Sequence, residues 1–171
     1  MPKGLTKTSS TVSIGFSVPE SAANTFTELS VDLNLSPLDR EVFVVQAVNI
    51  DPSAPDNDST TGNTATNCSL TSTSQREIAT LANANCLAVA QIRIQQDIGG
   101  LAPVLVQQQS LETPPSTMDY IGIIATNDFF VQVEGLNNTQ VKGCSGKVYG
   151  YRARADADIY AALVQSEALS A

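Results

Sequence analysis

The sequence predicts an all-β protein: an antiparallel β-sandwich, an eight-stranded jelly roll, with a short internal helix and a short C-terminal helix. Three observations carry that expectation. Apolar and polar residues alternate in short runs, the period-2 pattern of half-buried strands. Stretches rich in Ser, Thr, Asn, Pro and Gly separate these runs at fairly regular spacing, as turn chemistry does. The spacing becomes helical at length only near the C-terminus. Many short strands joined by long crossing connections fit a sandwich, and eight of them favour a jelly roll.

Residues 1–10 are polar, include Pro2 and Gly4 and show no periodicity, so a flexible N-terminal arm is expected before a single domain spanning 11–171. Thr11 to Val18 alternates, with Val12, Ile14, Phe16 and Val18 on one face, and Pro19 ends it. Phe26 to Leu35 repeats the pattern through Leu29, Val31, Leu33 and Leu35, and Pro37 then pre-sets a tight turn. Glu41 to Ile50 is a nearly continuous apolar run, so both of its faces are expected to be covered. Asp51 to Asn67 is polar and reads as a long loop.

Ser74 and Glu77 have capping-box spacing ahead of Ile78 and Leu81, which predicts the internal helix. Strands follow at Cys86 to Ile94, Val104 to Gln108, Tyr120 to Ala125, Phe129 to Glu134 and Lys147 to Ala153. Asp156 to Leu169 switches to helical spacing, with Ile159, Tyr160, Leu163 and Val164 as its apolar stripe. Asp156 and Asp158 stand where a helix N-terminus favours negative charge. The expected core includes Val12, Ile14, Phe16, Leu29, Val31, Leu33, Val44, Ile92, Val131 and Val133.

Composition argues against catalysis. The 171 residues contain no histidine and no tryptophan, and only 15% are charged. A serine nucleophile would lack an imidazole base. A Ser–Lys pair would need a buried lysine, and Lys142 and Lys147 flank a turn, where burial is not expected. Asp119 and Asp128 could form a glycosidase pair, but carboxylates at strand ends are usually turn residues. Gly99-Gly100 has neither the lysine nor the helix of a phosphate-binding loop. No catalytic residue and no cofactor is expected.

Asp51, Asp56 and Asp58 are weak metal candidates, because the stretch from Asp56 to Gly62 resembles a calcium loop. Its glycine falls at the seventh position rather than the sixth, and Asn67 occupies the place of the bidentate glutamate. The expectation is therefore a solvated acidic loop without metal. Cys68, Cys86 and Cys144 form no C-x-x-C motif and are expected as three free, buried thiols, with a Cys68–Cys86 disulfide as the alternative.

Seventeen acidic against nine basic residues give a net charge of −8, which repels phosphate backbones, so nucleic-acid contact is expected to be weak or absent. Lys3 and Lys7 are too few for a genome-binding arm. No stretch approaches the ~18 apolar residues of a membrane helix, and no export segment is expected. Alternation sets Tyr149 and Tyr151 on one strand face and Arg152 and Arg154 on the other, a packing face backed by an ion-pairing face.

The last third, from Asp128 to Ala171, carries a resemblance. Phe130-Val131-Gln132-Val133, the turn at Asn137-Asn138, the strand Lys147 to Arg154 and the helical Tyr160-Ala161-Ala162-Leu163 follow one another in a recognisable order. The segment resembles the C-terminal part of single jelly-roll capsid proteins from tailless icosahedral viruses of bacteria or archaea. The resemblance implies a non-enzymatic coat protein that self-assembles into an icosahedral shell, resident in the virion and assembled in the host cytoplasm. Its partners would be copies of itself, with other capsid or spike proteins as further candidates. The N-terminal arm departs from many small genome-packaging capsids in not being richly basic. Expected subunit contacts are Lys3, Lys7, Arg152, Arg154, Tyr160, Leu163 and Val164, with the C-terminal helix favoured to pack on a neighbouring subunit. The alternative is a β-sandwich ligand-binding or host-attachment module on a virion or cell surface, which the scarcity of aromatics disfavours.

Overall fold

The computed structural model describes residues 2–57, 62–95, 103–109 and 118–169. Among these, ten strands pair into two five-stranded antiparallel sheets. They are β1 (Leu5–Lys7), β2 (Val12–Pro19), β3 (Thr27–Asp32), β4 (Glu41–Pro52), β5 (Thr64–Thr71), β6 (Cys86–Gln95), β7 (Val104–Gln109), β8 (Gly122–Ile124), β9 (Asp128–Leu136) and β10 (Gly143–Ala155), followed by helix α1 (Ala157–Leu169). The first sheet runs β2-β10-β4-β8 and the second β3-β9-β5-β6. These eight strands have the predicted jelly-roll architecture, although β5 was not expected as a strand and the expected Val104–Gln108 strand is the added β7: the chain crosses between the layers after β2, β3 and β4 and again around β8 and β9. Two further strands extend it, β7 beside β6 and β1 beside the far end of β10.

Between the layers lie Phe16, Val18, Leu33, Phe43, Val45, Val48, Leu70, Phe129, Val131 and Val133. Phe16 meets Phe129 edge-on, with centroids 6.2 Å apart, an arrangement favoured by ring quadrupoles. Two glycines of β10 make room for the rings. A Cβ at Gly146 would stand 2.6 Å from Phe16 Cζ, and one at Gly150 would stand 2.6 Å from Phe43 Cε1.

The continuous apolar run of β4 is covered on both faces, as expected. Phe43 and Val45 point into the sandwich, while Val42 and Val44 face a second cluster outside the first sheet. The register then slips between Tyr149 and Gly150 of β10, with Gly150 opposite Val45 but Tyr149 opposite Ala47. The skipped Gln46 reverses the alternation, so Val48 and Ile50 also point inward.

Most of the expected core is buried or packed against it, with Val44 on the outer cluster instead. Ile92 is half-buried. Val12, at the start of an edge strand, is 42% exposed.

Three local expectations are corrected. The expected flexible arm contains a strand: Leu5 to Lys7 pair with Ala155 to Ala153, and Leu5 is buried. The 51–67 loop is shorter, because β4 runs through Pro52 and β5 starts at Thr64. The internal helix is absent: residues 73–80 are irregular with bends, and a turn follows at Leu81 and Ala82. The capping serine is taken by another partner: Ser74 Oγ donates to Glu28 Oε1 at 2.6 Å, and Gln75 N–H donates to Glu28 Oε2 at 2.8 Å. Downstream, Ala79 N–H donates to Ser69 Oγ at 3.1 Å. Bonds to β3 and β5 thus replace the intrahelical ladder.

That segment lies over a polar layer on the outer face of the second sheet. Ser69, Thr71 and Gln132 are fully buried yet bonded to one another: Ser69 Oγ donates to Gln132 Oε1 at 2.8 Å, and Gln132 Nε2 donates to Thr71 Oγ1 at 2.7 Å. Paired in this way, the buried polar groups avoid the cost of unmet hydrogen bonds.

Candidate functional site

Two groups of residues stand out, and the predicted contact residues belong to the first. The first surrounds α1, whose Ile159, Tyr160, Leu163 and Val164 pack over Leu5, Val42, Val44, Ala125, Tyr151, Ala153 and Ala155. The helix therefore docks on its own first sheet, contrary to the expectation that its stripe would seek a neighbour. The docking surface exists because β4 and β10 are apolar on their outer face there, and β1 completes it. The expected ring-and-charge separation holds at Tyr151, which joins this cluster. Arg152 NH2 instead donates to the Leu33 carbonyl at 2.8 Å, and its guanidinium lies 3.6 Å from Glu41.

Exposed Lys7 Nζ sits 4.4 Å from the Tyr151 ring centroid, a cation–π contact worth little at a wet surface. Arg154 pairs with Asp39 at 3.1 Å in solvent, and Lys3 is exposed.

Glu167, a charged residue outside the apolar stripe named above, is the buried anchor of α1. Its carboxylate accepts the Ala125 N–H at 3.1 Å and the Thr126 N–H at 3.0 Å. Burial pushes its pKa up, partly offset by these N–H donors. The signal lay in its position: residue 167 follows Leu163 and Val164 on the same side of the helix.

The second group gathers at one end of the sandwich, where the connections β2–β3, β4–β5 and β9–β10 meet. Buried Glu20 accepts backbone N–H groups from Gly135 at 2.5 Å, Lys142 at 2.8 Å and Thr25 at 3.2 Å. Asn138 exchanges bonds with Asn24 and donates to the Ala65 carbonyl at 2.8 Å. Asp56 accepts from Lys142 Nζ at 2.5 Å, Thr139 N–H at 2.7 Å and Gln140 N–H at 3.1 Å.

The Lys142 ammonium, followed by the Thr139 and Gln140 donors, holds the Asp56 carboxyl far below the usual carboxylate range. Asp56 is thus committed to a loop clasp, while Asp51 is exposed in β4 and Asp58 lies outside the described residues. Lys142 is buried, against expectation, but its partner is this carboxylate and not a serine hydroxyl. Among the described residues, no cluster of three or more His, Cys, Asp or Glu side chains could hold a metal.

The half of the first sheet that α1 leaves bare forms an open cleft of 720 Å³ lined by Ser17, Asn49, Asp51, Ser145, Lys147 and Tyr149. Asp128, considered with Asp119 as a carboxylate pair and set aside as a turn residue, accepts from Ser30 Oγ at 2.9 Å. No described helix is long and apolar enough to cross a membrane.

No protein-family model and no curated protein matches the chain. Among solved structures, it is similar to a chain of Desmodium yellow mottle tymovirus, at 11% identity and a TM-score of 0.30, over 91% of this chain and 93% of that one. A chain of turnip yellow mosaic virus aligns at 13% identity and a TM-score of 0.28, over 85% and 93%. At these scores the assignment of the jelly roll rests on the strand order and registers described above.

Proposed function

We propose that this chain is a structural capsid protein that self-assembles into an icosahedral virus shell, with no enzymatic role. The observation that carries the proposal is the eight-stranded jelly roll, whose C-terminal strand, turn and helix bear the capsid-like pattern from Asp128 to Ala171. The lack of histidine in the sequence and the commitment of Asp56 and Lys142 to a clasp agree with a building role.

Copies of the chain are its principal partners, with other capsid or spike proteins joining the shell. Its place is the virion, after assembly in the host cytoplasm. The resemblance directs the reading to tailless viruses of bacteria or archaea, whereas the two solved chains above bear the names of plant viruses.

In this reading Lys3, Lys7, Arg152 and Arg154 meet neighbouring subunits, alongside the outward edges of Tyr160, Leu163 and Val164 that docking leaves uncovered. Size-exclusion chromatography of the purified full chain tests the proposal. Elution as a large assembly supports it, and a stable monomer that binds glycans would transfer the fold to the ligand-binding alternative.

A further inference from the structure

Cys68 and Cys144 belong to different layers of the sandwich. Cys68 lies in β5, flanked in its sheet by Ala90 and Val133. Cys144 lies in β10, flanked by Val18 and Pro52. Both side chains point into the shared core from facing sheets, 1% and 2% exposed, and the Cys144 thiol is a neighbour of the Cys68 thiol there. Cys86 is separate: it is half-buried, and its thiol is directed to the Ala88 carbonyl at 3.6 Å. The partner of Cys68 is therefore a residue far along the chain, not the nearer cysteine.

We propose that Cys68 and Cys144 form a latent inter-sheet disulfide that locks the two layers together when the chain folds or opens in the presence of a low-molecular-weight disulfide. One cysteine thiolate attacks the small disulfide RS–SR, whose S–S bond breaks to leave a mixed disulfide and one RS⁻. The second protein thiolate then attacks the protein sulfur of that mixed disulfide, forming the Cys68–Cys144 bond and expelling the second RS⁻. The two thiol protons end on the two departing thiolates. The protein is oxidised by two electrons and the small disulfide is reduced to two thiols.

The closed sandwich resists this exchange. The neighbouring Cys144 thiol, followed by burial, pushes Cys68 far above the ordinary thiol range, so it stays protonated and unreactive. Reaction belongs to moments when the end of β10 is open, before the core seals. A buried bridge between facing sheets is a known way of stapling a β-sandwich. Here it would join the chain from residue 68 to residue 144, restricting the unfolded ensemble over a long loop.

The test refolds the full chain from urea in a mixture of reduced and oxidised glutathione, then alkylates remaining thiols under denaturing conditions and maps peptides without reduction. The expected result is a chain lighter by two hydrogens before alkylation, with the Cys68 and Cys144 peptides joined and Cys86 alkylated. Its urea midpoint should lie above that of the reduced chain. The Cys86→Ser variant should form the same bridge. Three alkylated cysteines after oxidative refolding, a bridge that includes Cys86, or a Cys68–Cys144 bridge that lowers the urea midpoint would each overturn the proposal.

Discussion

Lys142 Nζ lies 2.5 Å from Asp56 Oδ1, so a buried cation on the β9–β10 connection neutralises a carboxylate on the β4–β5 connection. The two residues stand far apart in sequence and meet only because the jelly roll brings these connections to one end of the sandwich. Glu20 ties the β2–β3 connection to the same point through the Lys142 N–H.

Asp56→Asn should lower stability at pH 6 by about 3 kcal/mol, the cost of leaving one partner of a largely buried pair behind. Its pH dependence provides a second reading. The folded-state pKa of Asp56 is depressed, so its contribution is complete above the ordinary value of 3.8 and is lost as pH falls below it. Urea melts between pH 6 and pH 2 should show a steeper acid decline in the parent chain than in Asp56→Asn.

Leu163→Ala should destabilise the isolated subunit by about 2 kcal/mol, near the lower end for a buried leucine because the side chain is only half-buried. Thermal melts of the unassembled protein check this. Unchanged melting would mean that α1 does not rest on Val42 and Val44 in solution.

Glu167 contributes in the opposite pH direction to Asp56. Its folded-state pKa is raised above 4.5, so its contribution is complete below that value and is lost as pH rises through the folded pKa. Glu167→Gln retains a carbonyl acceptor without the buried charge, so its stability should fall less than the parent's as pH climbs from about 4.5 towards neutrality. Glu167→Ala should cost about 1–3 kcal/mol by leaving the Ala125 and Thr126 N–H groups unmet. Melting curves for both variants across that pH range make the comparison.

Gly146→Ala should cost about 1–3 kcal/mol or more through overpacking, since its methyl would collide with the Phe16 ring and the Asn49 carbonyl. Pairing it with Phe16→Leu should recover part of the loss, measured as a double-mutant cycle in urea.

Alternation placed β2, β3 and β9 because each has one face in the core and one outside it. The run from Glu41 to Ile50 gave the two-sided burial of β4, although the slip at Gln46 depends on β10 and leaves no local signature. β1 escaped notice because three residues are too few for a period, and its pairing with Ala153 to Ala155 is purely tertiary. The Ser74–Glu77 capping box was a sound local signal overridden by Glu28, a residue of another strand. Lys142 was hidden for the same reason, since charged side chains are ordinarily solvated and its burial depends on a distant carboxylate, whereas Glu167 had a helical position beside Leu163 and Val164 to mark it.

Electron microscopy of the purified chain, across a range of protein concentration and ionic strength, is the most direct test of assembly. The expected result is closed, regular shells built of many copies. A population of dispersed monomers under every condition, with the melting behaviour of an intact sandwich, would contradict it.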